Sequence, residues 1–154
     1  MHKIVSQIRD LEIIEEELKS NQAGVLALIY DGDKITQLTT TFLYMDKNIY
    51  IFFHKDDELY DNLQFESNAI FSILKQGKIK KIKNINFEPT YNILSITIKG
   101  IMKKIDDPKL LEEAKSNYIL KYKRQSGSEV DYSPISKVIL IDTEEIQASE
   151  ETGG

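Results

Sequence analysis

Apolar residues recur at two spacings along the chain, and the change from one spacing to the other marks the predicted elements. Up to residue 20 they return every three or four positions, as in an amphipathic helix. These helical positions are Ile4, Ile8, Leu11, Ile14 and Leu18. From residue 23 onward apolar and polar residues alternate, as in strands with one buried face. The pattern predicts a helix over 1–22, a β-rich domain over 23–148 and a disordered tail over 149–154.

Six segments of the β-rich domain have the length and composition of strands. They are residues 23–30, 34–44, 48–54, 68–74, 91–105 and 137–142. Asp31-Gly32 and Asp46-Lys47 supply tight turns between the first three. Gly100 inside the long fifth segment indicates a bulge or a close backbone approach. The basic segment 78–87 is predicted as either a further strand or a mobile loop.

Two helical segments interrupt these strands. Residues 56–65 begin with acidic side chains, which suit the positive end of a short helix. Residues 108–124 form an amphipathic segment that opens on Pro108 after a capping Asp106 or Asp107. Short antiparallel strands with a helix between the third and the fourth close most simply into a small barrel. The predicted fold class is therefore mainly β with flanking helices, a small antiparallel β-barrel.

Composition limits the functions that this barrel can have. The chain has 154 residues, enough for one domain, and it has no cysteine, which excludes disulfides and thiolate metal ligands. No apolar run approaches the ~20 residues of a membrane span. We predict a cytoplasmic protein with no membrane partner.

Charge is distributed unevenly along the chain. Residues 75–104 contain eight lysines and one acid, a net charge of +7. Because the whole chain has a net charge of −5, the remaining residues together carry −12. Such a field could hold a phosphate or carboxylate ligand, or the lysines could be the solvated positions of a hairpin that guard a sheet edge. Nucleic acid is not a predicted partner, because the domain is acidic and no arginine–aromatic pattern accompanies the lysines.

Candidate chemistry is sparse. His54 is the one histidine away from the terminus, so no closed metal site is predicted. Thr39, Thr40 and Thr41 put at least one hydroxyl toward the interior or a ligand, because side chains of a strand alternate between its faces. The flavin pyrimidine edge is one possible partner for such a hydroxyl, although threonine also simply favours strands.

The order of these segments resembles the small FMN-binding split barrels related to pyridoxamine 5'-phosphate oxidase. Asn62-Leu63 followed by 68–72 (NAIFS) is similar to the family's Asn-Leu, Asn-Pro and buried strand. Residues 95–100 (SITIKG) and 137–146 (KVILIDTEEI) are similar to two later strands. The family's phosphate-binding Ser-x-Lys is replaced here by Asp57-Glu58-Leu59.

The resemblance implies an FMN-binding split barrel, a flavin-dependent oxidoreductase whose substrate and catalytic residues the sequence does not name. In that family FMN lies in a groove between two subunits, so a homodimer with an interfacial cofactor site is implied. The implied cofactor-binding residues are Gln37, Thr39, Thr40, Phe53, His54, Lys55, Lys75, Lys78 and Ser95. Lys55, Lys75 and Lys78 would replace the missing phosphate lysine. The alternatives are a relative that binds or degrades heme, or a cofactor-free binding module.

Apolar side chains on the strands also favour a dimer. A small barrel encloses few residues, so some of these large side chains should lie outside it and need cover, which a two-fold partner would provide. They are Phe42, Tyr44, Tyr50, Phe52 and Phe71.

Overall fold

The computed structural model describes residues 2–126 and 129–154, with side chains described for 2–123 and 129–154. The strands are β1 (Lys3–Gln7), β2 (Ala23–Tyr30), β3 (Lys34–Thr41), β4 (Leu43–Met45), β5 (Asn48–His54), β6 (Ser67–Gln76), β7 (Tyr91–Lys104) and β8 (Ile135–Gly153). The helices are α1 (Leu11–Ser20), α2 (Glu58–Asp61) and α3 (Pro108–Ser126).

All of these strands belong to one antiparallel sheet. Its order is β3-β2-β6-β7-β8-β5-β4, and β1 pairs with the second half of β8. β3 and β4 lie at opposite ends of this order, yet Phe42 alone separates them in the chain. The two ends of the sheet must therefore meet, and the sheet closes into a barrel. The predicted small antiparallel barrel is confirmed.

The turns and the bulge lie where the sequence predicted them. Asp31 and Gly32 have φ of 48° and 87°, and Asp46 and Lys47 have φ of 52° and 65°, the left-handed values of tight hairpins. The register of β7 against β8 shifts between Lys99 and Gly100. A Cβ atom at Gly100 would collide with the Asp142 carbonyl, so glycine is required there.

Both chain ends differ from the prediction. Residues 3–7 are a strand, and the N-terminal helix begins only after Asp10, whose carboxylate accepts the Glu12 N–H at 3.0 Å. The tail predicted as disordered continues β8 to Gly153 and pairs with β1 and β7. Each prediction failed for the same reason. Each of these two short segments forms a strand because a neighbouring strand edge offers it hydrogen-bond partners, and the segment's own sequence does not show this.

Three other predicted segments differ from the observed elements. The strand predicted over 34–44 breaks at Phe42, where the chain passes from one end of the sheet to the other. The helix predicted over 56–65 is the single turn of α2. Residues 77–90 contain no strand, so the basic segment is a loop.

The barrel interior holds most of the core. Leu26, Phe71 and Ile98 are among its fully buried side chains, and Ile14 and Leu18 of α1 pack against them. Because strands form the walls, α1 must enter this core at one opening of the barrel. Its orientation is held by Tyr44, whose hydroxyl donates to Glu15 at 2.8 Å.

A second core lies outside the barrel, beneath α3. Ala114 and Tyr118 of α3 pack on Tyr50 and Phe52 of β5 and on Val138 of β8. The prediction that a partner subunit covers the outward aromatic residues is wrong for Tyr50 and Phe52, which α3 covers. The remaining three, Phe42, Tyr44 and Phe71, lie inside the barrel and need no cover. No helix in the described ranges is long and apolar enough to cross a bilayer.

Candidate functional site

The outer surface of the barrel away from α3 carries a groove that brings three of the predicted site residues together. Gln37, Thr39 and Ser95 line this outer groove, which has a volume of about 440 Å³. Gln37 and Thr39 lie on β3 and Ser95 on β7, with β2 and β6 forming the floor between them. These three side chains lie on one surface because alternate residues of a strand point to the same side of the sheet.

Strand register arranges the groove in two rows. One row runs from Thr39 through Val25 and Ser72 to Thr97, each paired with the next across the sheet. In the neighbouring row Ser95 pairs with Leu74 on one side and with Ser149 on the other. The Ser95 and Ser149 hydroxyls are 3.0 Å apart. The groove thus combines hydroxyls with aliphatic surface, and none of the described residues lining it is charged.

The groove lies within a wider outer surface, the open face, formed by β1, β2, β3, β6, β7 and the second half of β8, where exposed apolar side chains lie beside charged ones such as Lys99, the cross-strand partner of Ile70. Ile35 is 76% exposed there, Leu74 73% and Ile70 40%. Large apolar side chains this exposed on one face of a sheet are candidates for contact with a partner or a ligand.

Tyr118 bridges the seam where the two ends of the sheet meet. Its hydroxyl lies 2.8 Å from Thr41 Oγ1 at the end of β3, and its ring stacks on Phe52 of β5 at 4.1 Å. β3 and β5 are therefore neighbours at the seam, although the structure shows no ladder between these strands in its described residues. Extending the β4–β5 register (Leu43 opposite Tyr50) into β3 puts Thr39 opposite His54.

His54 and Lys55 lie at the end of β5 and are exposed. His54 Nδ1 accepts the Asp56 N–H at 3.2 Å. Lys55 lies near Asp131, whose pKa is held below its ordinary value by hydrogen bonds from Ser133 and, to a smaller extent, by the Lys55 charge. The Lys55 ammonium is accordingly available at the surface, with one carboxylate in its vicinity.

Four of the other predicted residues lie away from the groove. Phe53 is 4% exposed and packs in the barrel core, so its side chain contacts no ligand on the outside. Thr40 points to the opposite face of β3 from Thr39, and its hydroxyl donates to the Thr41 carbonyl at 2.9 Å. Lys75 pairs with Glu17 at 3.2 Å, and Lys78 lines a separate depression beside it.

The segment that replaces the family's phosphate-binding residues has structural roles here. The Asp57 carboxylate caps α2 by accepting the Leu59 N–H at 2.9 Å. Leu59 itself is partly buried against the barrel core. Neither side chain is available to a phosphate. In the described part of the chain, no group of three or more metal-ligating side chains lies together.

Comparison with known proteins gives likeness in structure without likeness in sequence. No family model and no curated protein matches the chain. The solved structures similar to it include the FAD binding protein from Mycobacterium smegmatis, with a TM-score of 0.68 at 12% identity over 97% of this chain and 100% of that one. They also include a candidate pyridoxamine 5'-phosphate oxidase from Corynebacterium glutamicum, with a TM-score of 0.63 at 16% identity over 100% of this chain and 98% of that one.

The fold is the pyridoxamine 5'-phosphate oxidase-like split barrel. A third similar structure, the FAD and heme binding protein from Mycobacterium smegmatis, has a TM-score of 0.62 at 14% identity over 97% of this chain and 74% of that one. At these identities the likeness concerns the split barrel itself.

Sequence reasoning missed three residues of this region of the split barrel. Ser72 and Thr97 line the groove beside Ser95, and strand alternation from Ser95 could have identified Thr97. Tyr118 lies within the helix predicted over 108–124, and the helical pattern does not single it out. Its contact with Thr41 spans 77 positions of the chain, and no local pattern encodes a contact of that range.

Proposed function

We propose that the protein binds a flavin, FMN in the first instance, in the outer groove, and that it works as a small flavin-dependent oxidoreductase. The observation that carries the proposal is the groove itself. Gln37, Thr39 and Ser95, chosen from the sequence as flavin contacts, line one uncharged groove of a split barrel. The similarity to an FAD binding protein supports the same cofactor class.

The residues present fit the ring system of a flavin. Its pyrimidine edge needs hydrogen-bond donors and acceptors, which the Gln37 amide and the Thr39 and Ser95 hydroxyls provide. Its flat aromatic body needs apolar surface, which Val25 and Leu74 provide beside them. When bound, the flavin supplies the electron transfer, and the protein orients it and sets its electrostatic surroundings.

The phosphate of FMN needs a different position from the one used in the family. The groove has no charge, and Asp57 and Leu59 are occupied in capping α2 and packing the core. Extending the β4–β5 register places His54 opposite Thr39, which brings its neighbour Lys55 toward that end of the groove. We assign the phosphate to Lys55 rather than to Lys75, which pairs with Glu17.

The open face supports the proposed homodimer. Ile35, Ile70 and Leu74 surround the groove and are exposed in a single chain. A two-fold partner seated on this face would remove them from water and would enclose the flavin ring between two subunits. We propose this arrangement in place of the dimer that the outward aromatic residues first suggested, and we retain the cytoplasmic location as part of the proposal.

Flavin titration tests the proposal. FMN fluorescence should be quenched at micromolar protein, and the bound flavin should absorb between 350 and 500 nm. Lys55→Ala should weaken FMN roughly ten- to a hundredfold, because a charge-assisted contact contributes about 1.5–3 kcal/mol. It should leave riboflavin, which lacks the phosphate, unaffected. Lys104→Ala is the matched control, since Lys104 is exposed at the far end of β7. Failure of FMN, FAD and riboflavin to bind would reject the proposal in favour of a cofactor-free module.

Heme is the alternative cofactor, and the geometry of His54 counts against it. Because Nδ1 accepts the Asp56 N–H, the proton of the neutral ring lies on Nε2, which then has no lone pair for iron. Heme ligation would have to break that hydrogen bond. A Soret band on adding hemin that disappears in His54→Ala would establish the heme alternative.

A further inference from the structure

A second cavity lies where the C-terminal end of α1, β4 and the middle of α3 meet. Its volume is about 550 Å³, within the range of small-molecule sites, and it shares no lining residue with the outer groove. Leu43, Met45 and Leu120 form its apolar wall, and the Asn117 amide and the Lys121 amine are also part of the lining.

Lys121 is held in this wall without an ionic partner. Its Nζ donates to the Phe42 carbonyl at 3.0 Å and lies 3.8 Å from the centre of the Phe42 ring. Among the described residues no carboxylate lies within ion-pair distance of it, whereas Lys75 and Lys103 have carboxylates at 3.2 and 2.9 Å. A partly buried amine without a counter-ion favours its neutral form.

The surroundings of Lys121 do not reverse this preference. Burial lowers the pKa of Lys121 to about 8. The ionisable groups around the cavity are Lys19 from α1, Tyr44 and Asp46 from β4 and its turn, and Tyr118 and Tyr122 from α3. Burial raises the pKa of Tyr44, Tyr118 and Tyr122, so these three phenols stay neutral at the same pH.

The Asn117 amide suggests what the cavity would accept. Its Nδ2 donates to the Glu113 carbonyl at 3.1 Å and to Met45 Sδ at 3.2 Å. A thioether sulfur is a weak acceptor. The oxygen of a ligand carbonyl would be a better partner for the same N–H, and Leu120 and Lys121 lie beside it.

We propose that this cavity binds small aldehydes and that the Lys121 amine condenses with them to form an imine. The nitrogen lone pair attacks the carbonyl carbon, and one amine proton passes to the carbonyl oxygen. The hydroxyl then leaves as water together with the second amine proton, which forms the C=N bond, so the step needs no oxidant or reductant. The site is independent of the flavin proposal, because the two sites share no lining residue.

Reductive trapping of the intact chain tests this inference. The protein is treated with butanal and cyanoborohydride at pH 7.5, and the alkylation rate of each lysine is followed by peptide mass spectrometry. A lysine of pKa about 8 has on the order of a hundredfold more neutral amine at this pH than an ordinary lysine. Because Lys121 is partly covered, we expect at least tenfold faster labelling than at Lys19, the exposed lysine of the same cavity.

Three comparisons make the result decisive. In urea the rates at Lys121 and Lys19 should become equal, because the preference comes from the fold. Labelling of Lys121 should level off above pH 8, whereas labelling of exposed lysines keeps rising. Asn117→Ala should reduce the rate at Lys121, and saturating FMN should leave it unchanged. Labelling of Lys121 in the folded chain no faster than that of Lys19 would overturn the proposal, whatever the flavin titration gives.

Discussion

The two outer faces of the barrel are built from the same alternating strands but differ in what covers them. Over β4, β5 and the first half of β8, α3 buries Tyr50 and Phe52. The open face, with Ile35 and Leu74, has no covering element among the described residues. An exposed apolar face of this kind is where a partner or ligand is expected to bind, and a second subunit and a flavin are the occupants that we propose for it.

The difference also separates stability from function. Side chains beneath α3 contribute to the free energy of folding of a single chain. Under the proposed function, those of the open face should contribute mainly to association and ligand binding. A substitution beneath α3 should therefore change mainly the stability of the fold. A substitution on the open face should change mainly association or ligand binding.

Phe52→Ala should have the largest effect. Phe52 is 8% exposed and stacks on Tyr118 at 4.1 Å, so its truncation should lower the free energy of unfolding by about 3–5 kcal/mol. Urea denaturation at submicromolar protein measures it. The control is Ile35→Ala on the open face, for which the change should stay within about 0.5 kcal/mol. Equal losses from both variants would mean that the open face is covered within the single chain.

The pH dependence of stability should come from the face that α3 covers. The folded pKa of Lys121 is lowered to about 8, whereas the unfolded chain keeps its ordinary value of about 10.5, so between these pH values the unfolded state binds more protons. The free energy of unfolding of the natural chain, relative to Lys121→Met, should therefore rise with pH by about 2 kcal/mol between pH 8 and 9.5. Parallel pH profiles for the two proteins would show that the buried amine keeps its proton.

Leu74→Asp tests the association role of the open face. A carboxylate at this 73% exposed position costs a single chain little, but two-fold symmetry would bury it with its copy in the dimer. Light scattering should show a dimer for the natural chain and a monomer for the variant, with the dissociation constant of the dimer raised at least tenfold. Val130→Asp, at a 50% exposed position before β8, serves as the control and should stay dimeric. A monomeric natural chain at micromolar concentration would refute the dimer.

The smallest effect should come from one hydroxyl of the outer groove. Thr39→Val keeps the shape and β-propensity of the side chain and removes a neutral hydrogen bond, so flavin affinity should fall about two- to tenfold. Thr40→Val is the matched control, since Thr40 points to the other face of β3 and its hydroxyl donates to a carbonyl of its own strand. Fluorescence titration distinguishes them. A larger loss from Thr40→Val would place the ligand on the opposite side of β3.

Local patterns were sufficient to predict the fold class. The alternation in 23–30 and 48–54, and the turns at Asp31-Gly32 and Asp46-Lys47, depend on neighbours in sequence, and the observed strands match those segments. β1 and the last third of β8 were missed because each forms a strand only in the presence of the other and of β7. Periodicity carries no information about such a partner.

The candidate site was predictable only in part, for the same reason. Gln37, Thr39 and Ser95 converge because strand parity and barrel closure put them on one side of the sheet. Phe53 and His54 are adjacent in β5 and point to opposite faces of the strand. Phe53 therefore lies in the core, whereas His54 lies at the surface. The Lys121 cavity could not have been foreseen, because its members come from three elements that meet only in the closed barrel.

The central position of β8 has a consequence for the order in which the chain folds. β8 pairs with β1, β5 and β7, partners that lie up to about 150 positions earlier in the chain. Contacts of such sequence separation make folding slow, on the scale of milliseconds to seconds. On the ribosome, the edges of β5 and β7 stay unpaired until residues 135–153 have left the exit tunnel. Until β8 pairs with them, these two edges are the parts of the nascent barrel that are most prone to aggregate.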